Sequence, residues 1–255
     1  MTTTGVAISL AGKTALVTGA RGGLGRAVAQ RLAAAGATGV ALDLQIDDSA
    51  APPGWIARAG DVRDEASLVA CVAACVQRFG GLDIVVANAG LVPPWRDTEA
   101  IDLAEWDEVF AVNVRGVVAT IKCAVPALKR RGGGSIVALG SLMSWSAHPQ
   151  QCCYVASKHA VLGIVRATAR ELGRFAIRVN AIGPGSIATD ALLGRVARRA
   201  RAGGPPVEEA LAQSAAQTML GRMATEEDVA NTVLFLASDL AAAQTGQLVP
   251  VDCGL

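Results

Sequence analysis

The sequence predicts an α/β fold in which a doubly wound parallel sheet lies between two layers of helices. Two observations predict it. Short β-branched apolar runs alternate with longer segments of helical character along all 255 residues. The apolar runs are continuous rather than alternating, as is typical of parallel strands buried on both faces. Right-handed crossovers between such strands place a ligand crevice at their carboxyl ends.

The expected elements follow from these runs. We expect strands at residues 14–18, 39–43, 55–59, 82–87, 135–139, 177–181 and 247–251. We expect helices at 24–35, 66–79, within 103–130, at 155–175 and at 226–237. No repeat or low-complexity linker divides the chain, so one domain over residues 1–255 is expected, with a substrate loop at about 188–220. Within that loop, four arginines before Gly-Gly-Pro-Pro predict a mobile insertion at 195–206.

Composition narrows the function classes. The formal net charge of +1 argues against nucleic acid as a partner, because nucleic-acid binders carry a strong basic footprint. No uninterrupted apolar run is long enough for a bilayer span, and the N-terminus lacks a signal-peptide pattern, so we expect a cytoplasmic protein without a membrane partner. Cys71 and Cys75 lie at helical spacing in an apolar segment and are expected to pack in the core. With only two histidines in the chain, no metal is expected.

A glycine-rich loop joins the first strand to the first helix. Such glycines allow a tight turn and close approach to a pyrophosphate, which the helix N-terminus favours. The candidate cofactor-binding residues of this loop are Gly19, Arg21, Gly22, Gly23, Leu24 and Gly25. Asp43 ends the second strand, 18 positions after Gly25, where a carboxylate can bind ribose hydroxyls and repel a 2′-phosphate. The pattern indicates NAD, although Asp43 could instead only cap a turn.

The chain contains one tyrosine, Tyr154, and Lys158 follows it four positions later. On a helix, residues four apart lie on the same face. A phenol titrates near pH 10, and a cation within a few Å can lower that pKa by roughly 1–3 units. Taken alone, the pair also fits an ordinary helix with a solvated lysine. The surrounding motifs favour a proton-transfer group.

Over essentially its whole length, the chain resembles the short-chain dehydrogenase/reductase family, which has the Rossmann fold. Its T-G-x-x-x-G-x-G loop is matched by Thr18, Gly19, Gly23 and Gly25, its D-V pair by Asp61 and Val62, and its N-A-G by Asn88, Ala89 and Gly90. Gly22 makes the loop equally compatible with the longer, epimerase-like branch. Chain length and the N-A-G motif favour the shorter branch. The resemblance implies that Asp61 and Val62 lie beside the adenine and that the N-A-G residues lie along the cofactor.

The resemblance also implies a catalytic group. Tyr154 would be the general base for alcohol oxidation and the general acid for ketone reduction. Lys158 would lower the tyrosine pKa and hold the nicotinamide ribose. Ser141, 13 residues before Tyr154, would polarise the substrate oxygen, and Asn113 would support a proton-relaying water. Positioned acid–base catalysis of this kind contributes about 10²–10⁴-fold in rate.

Alternatives remain for two of these residues. Ser144 and Ser146 lie past the same strand end and are rivals of Ser141. Ser157 lies between the tyrosine and the lysine and is expected to point elsewhere on the helix. Asn113 could instead be an amide inside a helix that bonds only to backbone.

A strand-end Pro-Gly motif extends the resemblance downstream. It implies cofactor contacts from Pro184, Gly185, Ile187 and Thr189, the last two holding the nicotinamide carboxamide. The expected substrate residues are Ser141, Met143, Trp145, Cys153, Tyr154 and Leu192. This lining suits a hydrophobic or aromatic secondary alcohol. The arginine cluster at 195–201 raises a rival, an anionic substrate such as a carboxylate or thioester conjugate, although such arginines often form a solvated helix face.

The leading hypothesis is an NAD-dependent enzyme that interconverts a secondary alcohol and a ketone. An NADPH-dependent carbonyl or 3-oxoacyl reductase is the second, since Arg21 could meet a 2′-phosphate. A non-catalytic nucleotide sensor on the same fold is the third. The resemblance also implies a homotetramer formed through the tyrosine helix and the terminal strand. Near that strand Cys253 replaces a family glycine, which bears on packing there.

Overall fold

The computed structural model describes residues 8–201 and 203–255. Seven strands form one parallel sheet. They are β1 (Thr14–Thr18), β2 (Thr38–Asp43), β3 (Ile56–Ala59), β4 (Ile84–Ala87), β5 (Gly134–Leu139), β6 (Ile177–Pro184) and β7 (Leu248–Val251). The spatial order is β3-β2-β1-β4-β5-β6-β7. The doubly wound α/β class predicted from the sequence is therefore confirmed.

Eight α-helices cover the sheet in the described part of the chain. They are α1 (Gly23–Ala34), α2 (Glu65–Phe79), α3 (Leu103–Phe110), α4 (Gly116–Arg131), α5 (Cys152–Leu172), α6 (Asp190–Arg201), α7 (Val207–Ala216) and α8 (Glu226–Ala237). A π-helical turn, Ala111–Arg115, joins α3 to α4. These three segments form one continuous helix, as the apolar pattern of residues 103–130 predicts.

The first half of the expected insertion at 195–206 is helical. Residues 195–201 belong to α6, and α7 begins soon after, at Val207. Leu192 and Val196 are spaced four apart and give α6 an apolar side, while Arg198, Arg199 and Arg201 are exposed. The Gly-Gly-Pro-Pro run marks the connection between the two helices rather than a long loop.

Each face of the sheet has its own apolar core. Side chains alternate along each strand, so in β1 Leu16 faces one core while Val17 faces the other. The first core packs against α2, α4 and α5, and the second against α1 and α8. Cys71 and Cys75 are buried in the first core, where burial raises the thiol pKa values to about 11 and about 12. They serve as small apolar side chains.

The helical segment Leu103–Arg131 is long and apolar enough to cross a bilayer by length and composition. Val117, Ile121 and Leu128 on its α4 part lie buried in the first core. The segment packs against α2 and the sheet, which is the arrangement of a core helix.

The strand order reverses between β1 and β4. From β1 the chain winds outward through β2 and β3, then returns to β4 on the other side. The helices α1 and α4, which follow β1 and β4, lie on opposite faces of the sheet, so a crevice opens beyond the carboxyl ends of these two strands. The residues with candidate functions cluster around that crevice.

Candidate active site

The glycine loop turns sharply from β1 into α1. Gly19 has φ +66°, and a Cβ there would lie 2.8 Å from the Ala89 Cα. A Cβ on Gly25 would lie 1.9 Å from the Gly19 carbonyl oxygen, so both positions require glycine. Gly22 is the N-cap of α1 and provides no side-chain cap. The first amides of α1 are therefore left available to an anion.

Asn88 holds this loop to the end of β4. Its Nδ2 donates to the carbonyl oxygens of Thr18 and Gly19, each at 2.9 Å. The Thr18 hydroxyl oxygen accepts the backbone N–H groups of Asn88 and Ala89, each at 3.1 Å. These four bonds fix the two strand ends on either side of the crevice.

Asp43 lies at the carboxyl end of β2, beside the glycine loop. One of its carboxylate oxygens accepts the Arg21 backbone N–H at 3.0 Å. The Arg21 guanidinium donates instead to Gln45 at 3.4 Å, on the exposed side of the loop. The position fits a carboxylate that meets a ribose at the end of the second strand.

Asp61 and Val62 follow β3, next to the end of β2. The Asp61 carboxylate accepts from the backbone N–H and the Nε of Arg63, each at 2.8 Å. These bonds hold the pKa of Asp61 below its usual value. Val62 is buried against Gly116, where a Cβ would lie 2.8 Å from the valine side chain. Both residues thus lie at the carboxyl-end edge of the sheet, next to Asp43.

Ser141 follows β5, and hydrogen bonding distinguishes it from the two alternative serines, Ser144 and Ser146. Ser144 Oγ accepts the Ser141 backbone N–H at 3.1 Å, and Ser146 Oγ donates to the Leu142 carbonyl at 2.9 Å. The hydroxyl groups of Ser144 and Ser146 are thus both hydrogen-bonded to backbone groups. The Ser141 hydroxyl accepts the Met143 N–H at 3.1 Å, and the Ser141 side chain is near enough to Tyr154 to act on the pKa of the phenol. Of the three serines, Ser141 is the one that the structure brings together with the tyrosine.

Tyr154 lies in the first turn of α5, beside Ser141. Burial is the main influence on it and raises the pKa of the phenol. The nearby Ser141 side chain and the positive charge of Arg195 act in the opposite direction. A phenol with a raised pKa keeps its proton at neutral pH and can donate it.

Lys158 lies one turn further along α5 and is 6% exposed. Its Nζ donates to the Leu139 carbonyl oxygen at 2.7 Å and lies 5.7 Å from the centroid of the Tyr154 ring. Burial lowers the pKa of Lys158 to about 8. The sequence argument gave Lys158 the role of lowering the tyrosine pKa. In the structure the positive charge of Arg195 also acts to lower that pKa, and the role of Lys158 stays a prediction.

Asn113 lies in the π-helical turn between α3 and α4. Its Oδ1 accepts the Leu91 N–H at 2.7 Å, and its Nδ2 donates to the Leu91 carbonyl at 2.9 Å and to Ser157 Oγ at 3.2 Å. A Cβ on Gly90 would lie 3.3 Å from Asn113 Oδ1 and 3.8 Å from Lys158 Nζ. The asparagine is thus placed beside the lysine, with the N-A-G segment between them. A π-turn of this kind is frequent at functional sites.

Ser157 has a position that the sequence analysis did not anticipate. Its hydroxyl donates to the Tyr154 carbonyl oxygen at 2.8 Å and accepts from Asn113. It joins the helix of the tyrosine to the π-turn. The i, i+3 spacing from Tyr154 was visible in the sequence, but the contact with Asn113 depends on the tertiary fold.

The Pro-Gly segment leaves β6 and leads into α6. The Gly185 N–H donates to the Val251 carbonyl at 3.0 Å, and Ile187 pairs with Ala224 in an isolated parallel bridge. Thr189 Oγ1 accepts the Leu192 N–H at 3.3 Å, so its hydroxyl caps the start of α6. Pro184 ends β6, and Ile187 is buried.

The expected substrate residues differ in their exposure to solvent. Met143 and Cys153 are half-buried, and Cys153 lines a small cleft together with Tyr154. Leu192 is half-buried on α6. Trp145 is 42% exposed and lies against Gly183, where a Cβ would be 2.6 Å from its ring. It therefore packs against the carboxyl-terminal part of β6.

The chain fits a dinucleotide. The uncapped start of α1, the glycine cradle and the Asp43 carboxylate provide the three donor and acceptor groups that a pyrophosphate and a ribose require. Among residues 8–201 and 203–255, no group of three or more His, Cys, Asp and Glu side chains is placed to hold a metal ion.

A parallel sheet with this switch point, a glycine cradle and a Ser–Tyr–Lys cluster define a dinucleotide-binding oxidoreductase. The family model described as Enoyl-(Acyl carrier protein) reductase matches residues 19–255. The chain belongs to the short-chain dehydrogenase/reductase family.

Relatives cover nearly the whole chain. A short-chain type dehydrogenase/reductase of Mycolicibacterium smegmatis is 36% identical, over 95% of this chain and 96% of the relative. A 3-oxoacyl-[acyl-carrier-protein] reductase, FabG, of Thermotoga maritima is 34% identical, over 96% and 98%. The crystal structure of carveol dehydrogenase from Mycobacterium avium in complex with NAD is 35% identical, with a TM-score of 0.86 over 96% of this chain and 98% of that one.

Proposed function

We propose that the protein is an NAD(H)-dependent oxidoreductase that interconverts a secondary alcohol and a ketone. The observation that carries the proposal is the placement of Ser141 near the Tyr154 side chain, with the buried Lys158 one turn after the tyrosine on the same helix. A non-catalytic nucleotide sensor has no use for a phenol and a serine hydroxyl brought together beside a buried ammonium.

Each residue of this group has a role in the proposed reaction. Ser141 Oγ would bond the substrate oxygen, and Tyr154 would give that oxygen a proton in ketone reduction or take it in alcohol oxidation. Lys158 would hold the nicotinamide ribose, and Asn113 would order a water near the lysine. A nicotinamide dinucleotide, when bound, supplies the hydride for reduction or accepts it on oxidation. Because the phenol is protonated at neutral pH, ketone reduction is favoured there and alcohol oxidation at higher pH.

Asp43 supports NAD as the cofactor. A carboxylate at this strand end accepts ribose hydroxyls and repels a 2′-phosphate. The solved relative that contains NAD is consistent with this choice. In the proposed complex, the glycine loop would hold the pyrophosphate, and Ile187 and Thr189 would hold the carboxamide.

An NADPH-dependent 3-oxoacyl reductase is the second candidate. It is supported by the FabG relative and by Arg21, whose guanidinium lies on the exposed side of the glycine loop near Asp43. The cofactor preference separates the two candidates.

The test is nicotinamide absorbance measured with NAD and NADP in parallel, across a panel of secondary alcohols and ketones. We expect NAD to be used at least about 10-fold more efficiently, and Asp43→Ser to remove most of that preference. Asp48→Ser changes an exposed carboxylate after the same strand and should leave the preference unchanged. Faster turnover with NADP by the unmodified protein would favour the second candidate.

We also propose a cytoplasmic homotetramer assembled through α5 and β7, as the resemblance implies. Light scattering of the purified protein measures the mass directly. A monomeric mass at micromolar concentration would contradict this assembly.

A further inference from the structure

Arg195 on α6 has an unusual environment for a guanidinium. Among the residues that the structure describes, its Nε is the only buried side-chain nitrogen or oxygen atom without a hydrogen-bond partner. None of the ion pairs in the described part of the chain includes it. Burial disfavours its charged form and lowers its pKa. A desolvated cation with an unmet donor is costly unless something else bonds it.

Arg195 is near enough to Tyr154 for the two charges to act on each other. Its charge acts on Tyr154, lowering the pKa of the phenol, and the phenolate in turn stabilises the arginine charge. Leu192, a candidate substrate residue, lies one turn earlier on the same helix. Arg195 is thus partly buried, on the same helix as Leu192 and near enough to Tyr154 to act on its pKa.

A second contact fixes α6 over the crevice. The Arg199 guanidinium lies 4.8 Å from the centroid of the Trp95 ring, and Trp95 stacks on His148 at 6.2 Å. Trp95 follows β4 and His148 follows β5, so α6 is held against the loops beyond both strands. This contact occupies Arg199, and Arg198 is exposed. Of these three arginines, Arg195 alone has a buried donor that no group of the protein satisfies.

The chemistry of the guanidinium group selects the ligand. A guanidinium presents its N–H groups as a planar fork that matches a carboxylate, and charge-assisted bonds of this kind are stronger than neutral ones. We propose that Arg195 binds a carboxylate on the substrate, so that the enzyme acts on hydroxy acids and oxo acids whose remaining surface is apolar. This inference rests on the proposed alcohol–ketone chemistry and names its substrate class. Met143 and Leu192 would contact the apolar part.

The alternative role for Arg195 is purely electrostatic, acting on the phenol of Tyr154. The two roles differ in what a substitution does. If Arg195 binds the substrate carboxylate, its substitution lowers kcat/KM for acidic substrates and leaves kcat/KM for neutral substrates unchanged. If Arg195 acts only on the phenol of Tyr154, its substitution changes kcat/KM equally for both classes of substrate and shifts the pH profile of the activity.

The turnover experiment compares mandelate with methyl mandelate, which share the aromatic secondary alcohol and differ in charge. We expect the unmodified enzyme to prefer mandelate in kcat/KM, and Arg195→Met to lower kcat/KM for mandelate by about 10- to 100-fold while changing the ester less than about 3-fold. Arg201→Met removes an exposed charge from the same helix and should change neither. An equal loss for acid and ester, or no preference for the acid in the unmodified enzyme, would overturn the proposal.

A binding experiment separates this inference from the proposed reaction. Calorimetry with phenylacetate and phenylacetamide needs no turnover, and we expect the acid to bind the unmodified protein more tightly than the amide. Arg195→Met should remove that difference and Arg201→Met should retain it. Selective acid binding without turnover of any alcohol would leave the carboxylate site standing and the proposed reaction refuted. Turnover with the same acid-to-ester ratio of kcat/KM in the unmodified and Arg195→Met proteins would support the proposed reaction and refute the carboxylate site.

Discussion

The ammonium of Lys158 donates to the carbonyl oxygen of Leu139 at 2.7 Å, inside the protein at the end of β5. The bond anchors the catalytic helix α5 to the sheet. It also places a positive charge where solvation is poor, which is why burial lowers the lysine pKa to about 8. The buried ammonium of Lys158, which serves the proposed reaction, therefore destabilises the folded protein at neutral pH.

This gives a prediction for Lys158→Met. The unfolded lysine titrates near 10.5 and the folded one near 8, so the folded state disfavours the charge. The resulting destabilisation is complete below pH 8 and fades as pH rises from 8 to 10.5. We expect Lys158→Met to raise the free energy of unfolding at pH 7 by about 2 kcal/mol, after allowing for the lost hydrogen bond, and to abolish turnover.

Denaturant unfolding between pH 7 and pH 10 measures the effect. Lys122→Met is the matched control, because this exposed lysine pairs with Glu65 on the surface and its removal should change stability by under about 1 kcal/mol. A Lys158→Met protein that is less stable at pH 7 would show that the buried charge is compensated.

Ser157 connects two parts of the site, and Ser157→Ala should affect both. The substitution leaves the buried Asn113 amide without one acceptor, which costs about 1–2 kcal/mol of folding free energy. We expect kcat to fall severalfold with little change in KM, since Asn113 would lose its placement while the substrate contacts remain. Steady-state kinetics and chemical unfolding provide the two readouts.

Thr168→Val is the control for this change. Thr168 lies on the same helix and its hydroxyl donates to the Ile164 carbonyl at 2.7 Å, without contact with the site. It should change stability slightly and leave kcat unaffected. A normal kcat in Ser157→Ala would remove the positioning role of the Ser157–Asn113 bond.

Cys253 occupies a backbone conformation that favours glycine. Its φ is +59°, in the left-handed region, just after β7. We expect Cys253→Gly to raise the free energy of unfolding by about 0.5–1 kcal/mol, because glycine adopts this conformation without steric cost. Cys253→Ala keeps the Cβ and removes the thiol, so it should leave stability near that of the unmodified protein. Thermal unfolding of the two variants side by side makes the comparison, and an equal gain in both would assign the effect to the thiol.

Much of the fold could be predicted because it depends on local patterns. The first strand, Thr14–Thr18, is continuous in apolar and β-branched residues, and its observed bounds equal the predicted ones. The helix Glu226–Ala237 likewise begins at a capping box, with Thr225 and Asp228, that the sequence displays. Helix α6 was missed because its arginines and the following Gly-Gly-Pro-Pro outweighed the spacing of Leu192 and Val196.

The site could be predicted in position but not in its electrostatics. Motifs placed Ser141, Tyr154 and Lys158 along the chain, and strand order then brought them together. The pKa directions depend on burial and on a charge from a distant helix, and no local pattern contains that information. Arg195 is the example, since its effect on Tyr154 requires the docking of α6 over the crevice.

The central claim is that Tyr154 moves the proton in an NAD-dependent alcohol–ketone reaction. Its most direct test is nicotinamide absorbance on mixing the unmodified protein and Tyr154→Phe with NADH and a ketone panel. We expect turnover by the unmodified protein and a loss of about 10²–10⁴-fold in kcat for the variant, with NADH binding, followed by its fluorescence, retained. Near-normal turnover by Tyr154→Phe would contradict the account.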